Sequence, residues 1–252
     1  MKYDDITVGS IFDRFRRAYN KRGMAYILCL GAEKLFDQLS CYVAYYYFKI
    51  FKSSKTFTFQ GERYKYFYHR YNNTWNNERA VEIPIIWAIV KDYREKKKRI
   101  LESGNVLSHY FHCNHDIIDK YEKDKGIVNE DVVTFQPKGK YDLIVSISTF
   151  EHIGWDERPR TPMKIFYAIE NLSKCLSYGG KIVATMPIGY NKKMDKFFKS
   201  GTIAFTTQYY LKRTSKNNKW VETMRDDVFK LKYGKPFPKA NGLIIGIIEK
   251  RA

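Results

Sequence analysis

The sequence predicts an α/β protein in which helices cover both faces of a mostly parallel sheet, forming a three-layer sandwich. Three observations support this prediction. From residue 79 onward, short apolar segments alternate with helical patterns. The segment 141–148 is apolar, rich in β-branched residues and bounded by polar residues, as a buried strand is. The chain has 252 residues, of which 44% are hydrophobic, so it can bury a core of this kind.

The first 70 residues are predicted to form an N-terminal extension. Apolar residues at helical spacing over 11–50, such as Leu35 and Leu39, predict one or two helices. Polar and aromatic residues alternate around Gly61, which predicts a β-hairpin. The aromatic and basic run 45–52 would suit a helix lying on a membrane surface, or its apolar face could pack on the main domain. We therefore divide the chain into an extension, residues 1–70, and a main domain, residues 71–252.

The main domain is predicted to alternate strands and helices. Its strands are expected at 99–102, 116–119, 132–135, 141–148, 181–187 and 242–248. Its helices are expected at 80–97, with Pro84 near the start or at a kink, at 106–112, and from Thr161 to the glycine pair 179–180.

Charge and composition narrow the classes of partner and compartment. The net charge is +18, and it is uneven: residues 1–70 carry 13 basic and 6 acidic residues, residues 191–252 carry 15 and 5, and the centre is nearly neutral. Such basic flanks attract polyanions, either nucleic acid or an anionic membrane surface.

The sequence also bears on the compartment. The longest run without a charged residue is 13 residues, too short to span a bilayer. The four cysteines show no C-x-x-C spacing and the N-terminus has no export pattern, so we expect a cytoplasmic protein, peripheral to a membrane if the extension binds one.

Polar residues stand at the predicted strand ends, where an open parallel sheet binds its ligands. A glycine at 104 lets backbone approach a ligand closely. Asp119, at the next strand end, can accept hydrogen bonds from a ribose diol, and Asp131, before the third extended piece, can accept one from an adenine amino group. Together these residues predict an adenosine-containing ligand. The strand-end set is Glu102, Gly104, Asp119, Asp131, Ser146, Ser148, Thr149, Glu151 and His152.

Residues of about 78–190 resemble class I S-adenosylmethionine-dependent methyltransferases, which have a Rossmann-like fold. The segment 100–105 (Ile-Leu-Glu-Ser-Gly-Asn) is similar to the first motif of that family, and strand 141–146 followed by Glu151-His152 is the closest match. Gly179-Gly180 resembles the entry to its fifth strand. The resemblance implies S-adenosylmethionine as the cofactor. The residues predicted to bind it are Arg79, Glu102, Ser103, Gly104, Asn105, Asp119, Asp131, Val132, Ser146 and Thr149.

The first motif departs from the family pattern. Val106 and Ser108 stand where the family usually has its second and third glycines. Either the loop is reshaped around the cofactor or the site is degenerate. We predict binding, because Glu102, Asp119 and Asp131 persist together with the Glu-His pair. A dinucleotide dehydrogenase is less favoured, because its G-x-G-x-x-G motif would be expected at this point and is missing.

His152 is the predicted general base, since histidine titrates near neutral pH and this one follows the fourth strand end. Glu151 and Asp156 complete the predicted catalytic set, and together with Glu157 they offer carboxylates that orient His152 or hold a divalent ion. A divalent metal is compatible with these residues but is not predicted. Arg79 could take the methionine carboxylate of the cofactor or pair with an acid of its own helix. A helix over 106–112 would put His109, His112 and Cys113 on one face, but no second ligand pair accompanies them, so zinc is not predicted.

The acceptor pocket is predicted from residues outside the shared core. Aromatic and hydrogen-bonding side chains suit a sugar, a base or a phenol. The favoured activity is O-methylation of a glycan or another small hydroxyl acceptor. Two alternatives are an RNA methyltransferase gripping phosphates with the basic flanks, and a non-catalytic scaffold with a decayed cofactor site. The predicted pocket residues are Trp155, Asp156, Glu157, 187–191, Tyr209, Tyr210, Lys212, Arg213 and Trp220.

Overall fold

The computed structural model describes residues 11–251, and the chain divides into two compact units, Met1–Phe51 and Lys52–Ala252. The described residues of the first unit, 11–51, form one continuous helix, α1, at Ile11–Phe51, where the sequence predicts one or two helices. Large apolar side chains are exposed along its second half, among them Leu35, Phe36 and Val43. Within residues 11–251, no helix combines the length and the apolar character needed to cross a bilayer.

The second unit opens with the predicted β-hairpin. Strands β1 (Thr56–Phe59) and β2 (Glu62–Lys65) pair antiparallel, and the two residues between them, Gln60 and Gly61, both have positive φ. Alternation puts Phe57 and Phe59 on one face of β1, and both are buried in a core that also contains residues of the following helix. The hairpin therefore belongs to the main compact unit, which begins before the predicted boundary at residue 70.

An eight-stranded sheet forms the centre of this unit and confirms the predicted α/β class. Strands β3 to β7 run parallel to one another, while β10 is antiparallel to β7 and β8, and β9 is antiparallel to β8. The order across the sheet is β5-β4-β3-β6-β7-β10-β8-β9. The strands are β3 Ile100–Ser103, β4 Asp116–Ile118, β5 Ile127–Val128, β6 Tyr141–Ile147, β7 Leu176–Pro187, β8 Thr207–Arg213, β9 Trp220–Glu222 and β10 Gly242–Glu249.

Helices cover both faces of the sheet. On β6, Leu143 and Val145 point into one apolar cluster, while Ile144 points into the other. The helix before β3 contributes Ile83 to the first cluster, and the helix after β6 contributes Leu172 to the second. The predicted three-layer arrangement is therefore confirmed. The helices are α2 Arg79–Glu95, with Pro84 in its second turn, α3 Lys164–Lys174, α4 Lys192–Ser200 and α5 Arg225–Val228.

The predicted third strand was misplaced. The paired residues are 127–128, whereas 132–135 form a turn in which Thr134 and Phe135 donate their N–H groups to the Asp131 carbonyl. Asp131 therefore follows the third strand and does not precede it. This places its side chain at the carboxyl end of the sheet, beside the ends of β3 and β4.

Two helix predictions were also wrong at their boundaries. The segment 106–112 forms only a 3₁₀ turn at Leu107–His109, at the start of which a carboxylate from β3 accepts from two N–H groups. Helix α3 begins at Lys164, later than predicted, and ends at Lys174, because β7 begins at Leu176. The glycine pair 179–180 thus lies inside β7, where Gly179 donates its N–H to the Lys250 carbonyl.

The topology creates a crevice at one edge of the sheet. From β3 the chain builds outward through β4 and β5, then crosses back to place β6 on the other side of β3. In open α/β sheets, ligands bind outside the carboxyl ends of the strands at such a switch point. The loops after β3, β4, β5 and β6 all meet there.

Candidate functional site

A cavity of about 420 Å³ opens at this switch point. Its wall contains ten of the thirteen residues predicted for cofactor binding and catalysis, while Glu102, Ser146 and Glu151 lie buried outside it. The predicted residues on the wall are Arg79, Ser103, Gly104, Asn105, Asp119, Asp131, Val132, Thr149, His152 and Asp156, joined by Val106, Ile118, Lys120, Tyr121, Glu122, Ser148, Ile153 and Glu157.

Gly104 brings the loops after β3 and β6 together. Its φ is +88°, and its N–H donates to the Ile118 carbonyl at 2.8 Å. A Cβ at this position would lie 2.3 Å from the Thr149 hydroxyl oxygen, closer than any real contact. Only glycine satisfies both the backbone conformation and this close approach.

Glu102 supports the loop from beneath. Its side chain is fully buried, and its Oε1 accepts hydrogen bonds from the N–H groups of Val106 at 2.8 Å and Leu107 at 2.7 Å. Its Oε2 lies 3.1 Å from His115 Nε2. These contacts hold the loop at the point where the second glycine of the family motif is missing. The structure therefore places Glu102 as a support of the loop and not on the cavity wall.

Asp119 and a second acid, Glu122, form one wall of the cavity. Asp119 accepts hydrogen bonds from the N–H groups of Tyr121 and Glu122 through Oδ1, and from the N–H of Asn105 at 3.1 Å through Oδ2. The Asn105 side chain donates to Glu122 Oε1 at 2.9 Å and accepts from the Ser108 hydroxyl. Glu122 was missed by the sequence analysis, although an acid three residues after a strand-end aspartate is a signal that could have found it. Two neighbouring carboxylates can accept from adjacent hydroxyls of one ligand.

Asp131 lies on the wall but is held in an ion-pair network. Lys164 Nζ is 2.6 Å and Lys120 Nζ is 2.9 Å from its Oδ2, and Lys164 also contacts Glu157 at 2.6 Å. Burial alone would raise the pKa of Asp131, but the hydrogen bonds from Lys164 and Lys120 lower it to about 2. The predicted contact with an adenine amino group would therefore be made by an ionised carboxylate that is already shared with two lysines.

Arg79, the first residue of α2, reaches the end of β6. Its Nη1 donates to the Ile147 carbonyl at 2.9 Å and to Glu82 Oε2 at 3.2 Å, so Arg79 pairs with an acid of its own helix. Its side chain also lines the cavity, and the contact with the cofactor carboxylate stays a prediction. Glu82 is fully buried and accepts a 2.5 Å hydrogen bond from Ser148. Burial raises the pKa of Glu82, whereas Arg79 acts to lower it.

His152 is part of a hydrogen-bonded trio with Asp156 and Tyr190. It ends the 3₁₀ turn Phe150–His152, and its Nδ1 lies 2.5 Å from Asp156 Oδ2. The Tyr190 hydroxyl donates to the same oxygen at 2.7 Å. Burial would raise the pKa of Asp156, but these two hydrogen bonds lower it, so Asp156 is the ionised acceptor that orients the imidazole. His152 Nε2 lies 3.6 Å from Glu151 Oε1.

Glu151 and Ser146 lie in the interior. Glu151 is 1% exposed, and its Oε2 has no hydrogen-bond partner among the described residues. Burial raises its pKa well above the ordinary value. Ser146 points its hydroxyl into the protein, again without a partner in the described part of the chain.

Of the predicted acceptor residues, the structure brings Tyr190 and Glu157 to the site and moves others away. Residues 209–213 lie on β8 and Trp220 on β9, toward the far edge of the sheet. Trp220 lines a separate cavity of about 600 Å³ beside the hairpin. Arg213 donates to the carbonyls of Asn76 and Pro238, which makes it a support for loops.

The predicted helix face of histidines does not form, because the 3₁₀ turn ends at His109. Among the described residues, Glu102, Cys113 and His115 do place ligand atoms within 4.8 Å of one another. Burial raises the pKa of the Cys113 thiol to about 12, so Cys113 is protonated at neutral pH, and Glu102 already serves two backbone N–H groups.

Comparison with known proteins gives structural matches at low sequence identity. The chain matches the N-methyltransferase NodS from Bradyrhizobium japonicum in complex with S-adenosyl-L-homocysteine, at 12% identity and a TM-score of 0.39, covering 62% of this chain and 79% of that one. It matches an rRNA methylase from Streptococcus thermophilus at 9% identity and a TM-score of 0.39, covering 68% and 97%. It also matches the sugar N-methyltransferase KedS8 from Streptoalloteichus at 8% identity and a TM-score of 0.34, covering 69% and 89%. No family model and no curated protein matches the sequence. At these scores we rest nothing further on the likeness.

Proposed function

We propose that this chain is an S-adenosylmethionine-dependent methyltransferase that methylates a hydroxyl group of a sugar or another small acceptor. One observation carries the proposal. The cavity at the switch point sets Asp119 and Glu122 beside the β3–β4 end and Arg79 and His152 beside the β6 end. Ribose-binding acids and a predicted general base thus share one opening of suitable size for a small organic ligand.

The residues present fit a nucleoside with an amino-acid tail. The Asp119 and Glu122 carboxylates can accept from the two ribose hydroxyls, and Gly104 lies on the same cavity wall. The Arg79 guanidinium can bind the carboxylate of the tail, since it has donors beyond the one that contacts Ile147 and Glu82. The buried Glu102 holds the loop after β3 by accepting from the Val106 and Leu107 N–H groups.

S-adenosylmethionine supplies a methyl group on a positively charged sulfur atom. The protein aligns the acceptor hydroxyl with that carbon, excludes water and removes the hydroxyl proton. In the proposed roles, Asp156 holds His152 through Nδ1 and thereby leaves Nε2 to take the proton. Tyr190 donates to the same Asp156 oxygen and fixes the pair.

A sugar acceptor is favoured by the rings beside His152. The Tyr190 ring packs edge-on against His152 at 4.8 Å and against Tyr233 at 5.2 Å. Aromatic faces with hydroxyl groups offer both an apolar surface and hydrogen bonds to a pyranose. This grouping is compact, as a small acceptor requires.

The test is methyl transfer by the full chain. Radiolabelled S-adenosylmethionine is incubated with a panel of mono- and oligosaccharides, an RNA transcript and no acceptor. The proposal expects label in a saccharide that alkali leaves in place, as an ether-linked methyl group. Label only in RNA, or no transfer to any saccharide by a folded chain that binds the cofactor, would contradict the acceptor class.

A further inference from the structure

The second half of helix α1 presents a broad apolar stripe. Because an α-helix turns about 100° per residue, positions 35, 36, 39, 43, 46, 47 and 50 fall within an arc of about 120°. All seven side chains are large and apolar or aromatic. Their exposed fractions run from 46% at Tyr47 to 71% at Phe36 and Val43. Such a continuous exposed stripe marks an interaction surface.

The width of the stripe argues against a coiled coil with a second copy. A two-stranded coiled coil uses a narrow seam of positions a and d, which repeats every 3.5 residues. Here Leu35 and Phe36 are adjacent in sequence and both exposed, as are Tyr46 and Tyr47. A surface this wide suits a continuous apolar medium rather than one partner helix.

The chemistry of the helix matches the boundary of an anionic bilayer. Residues 11–22 contain five Lys or Arg and a single acid, so the half of α1 before the stripe is basic. At the other end Lys49 lies over the Tyr45 ring, with its Nζ 5.3 Å from the ring centroid. Tyrosines and lysines of this kind favour the headgroup level, where an aromatic body meets lipid and a polar tip meets water.

We infer that α1 lies in the plane of an anionic membrane surface, with the stripe at 35–50 inserted between lipids and the basic first half of the helix attracted to the anionic headgroups. Helices with an apolar face and basic residues bind membranes through buried apolar area plus attraction to anionic lipid. This inference stands apart from the proposed methyl transfer, since it uses only residues of α1. Neither the sheet nor the cavity at the switch point plays a part in it.

Vesicle sedimentation of the full chain tests the inference. The probes are vesicles of phosphatidylcholine alone and vesicles with about one third phosphatidylglycerol, at low and high salt. We expect binding to the anionic vesicles, weakened by salt because exposed charges are screened. Equal binding to both vesicles would contradict the role of charge, and binding to neither would overturn the inference.

A matched pair of variants distinguishes insertion of the stripe into the membrane from a general effect of added negative charge. Val43→Glu places a carboxylate in the middle of the stripe, while Gln38→Glu makes the same change of charge at an exposed position outside the stripe, about 140° around the helix from Val43. We expect Val43→Glu to reduce vesicle binding by about tenfold or more, because an inserted charge is costly, and Gln38→Glu to change it little. Equal loss in both variants would contradict insertion of the stripe.

The same variants also test whether the stripe binds a second copy of the chain instead of a membrane. Light scattering after size exclusion gives the mass of the wild type and of Val43→Glu. A wild-type dimer that Val43→Glu dissociates, without any difference in vesicle binding, would overturn the membrane assignment in favour of a homodimer. Circular dichroism confirms that each variant remains folded.

Discussion

The imidazole of His152 is held by Asp156, with 2.5 Å between Nδ1 and Oδ2, and Tyr190 donates to the same carboxylate oxygen. Asp156 is four residues after His152, so one short segment supplies both groups. Tyr190 comes from the loop after β7, which ties the arrangement to the neighbouring strand. The relationship leaves one ring nitrogen of His152 for chemistry at the cavity.

The first prediction concerns His152. His152→Ala should lower single-turnover methyl transfer by about 10²–10⁴-fold, the range for loss of a positioned base, with little change in cofactor affinity. His112→Ala, an exposed histidine outside the cavity, is the control and should be neutral. An unchanged rate in His152→Ala would remove it from the role of base.

Asp156→Asn tests the orienting role. The amide oxygen carries no charge, so its hydrogen bonds to His152 and Tyr190 are weaker than those of the carboxylate, and His152 should be held less firmly. We expect a lower rate of methyl transfer, because an imidazole that is held less firmly is less often aligned with the acceptor hydroxyl. Tyr190→Phe keeps the carboxylate and should have the smaller effect. A rate of methyl transfer that Asp156→Asn leaves unchanged would contradict the account.

We predict that no other residue can replace Gly104, because of its backbone conformation and because the Thr149 side chain lies so close to it. Gly104→Ala would strain a φ of +88° and bring its Cβ to 2.3 Å from the Thr149 hydroxyl. We expect a loss of about 1–3 kcal/mol in the free energy of unfolding, together with weaker cofactor binding. Gly126→Ala is a matched control, since its φ is also +88° but nothing lies within 4 Å of a Cβ there. Equal losses in the two variants would show that the close approach to Thr149 does not matter.

We predict that Glu102 stabilises the protein by holding the loop after β3. Glu102→Ala leaves the Val106 and Leu107 N–H groups without their acceptor, which costs about 1–3 kcal/mol for each buried group that finds no other partner. Glu102→Gln retains an acceptor oxygen and should be milder in thermal unfolding. The reverse order of stability would indicate that the carboxylate charge, and not loop support, is what the site requires.

The ion pairs of Asp131 predict a dependence of stability on pH. Its pKa is lowered in the folded protein to about 2 from an ordinary 3.8, so its contribution is present above about pH 4 and is lost as the pH falls toward 2. The difference in melting temperature between wild type and Asp131→Asn should therefore shrink over that range. Glu130→Gln, a change at an exposed neighbouring acid, should show no such trend. A constant difference across the range would contradict the pairing with Lys164 and Lys120.

The sequence predicted the parts of the site that follow strong local patterns. The pattern of the long apolar strand β6, followed by polar residues, predicted that His152 and Asp156 lie at the end of the sheet, and they do line the cavity there. The end of β3 predicted the same location for Gly104. The two-residue strand β5 was missed because so short a segment carries no periodicity, and Asp131 was consequently put on the wrong side of it. The role of Glu82 depends on a contact with Ser148, 66 residues away, which no local pattern reveals. Glu151 and His152 are neighbours, yet the 3₁₀ turn buries one and exposes the other.

Calorimetric titration of the full chain with S-adenosylhomocysteine tests the central claim most directly. The account predicts stoichiometric binding to the wild type and a loss of affinity of about tenfold or more in Asp119→Ala, since losing a hydrogen bond to a charged group costs about 1.5–3 kcal/mol. This variant should still be folded at the temperature of the titration, although its melting temperature falls because three backbone N–H groups lose their acceptor. A folded wild type that gives no binding, or an Asp119→Ala variant that binds as tightly as the wild type, would contradict the claim that a nucleoside occupies the switch-point cavity.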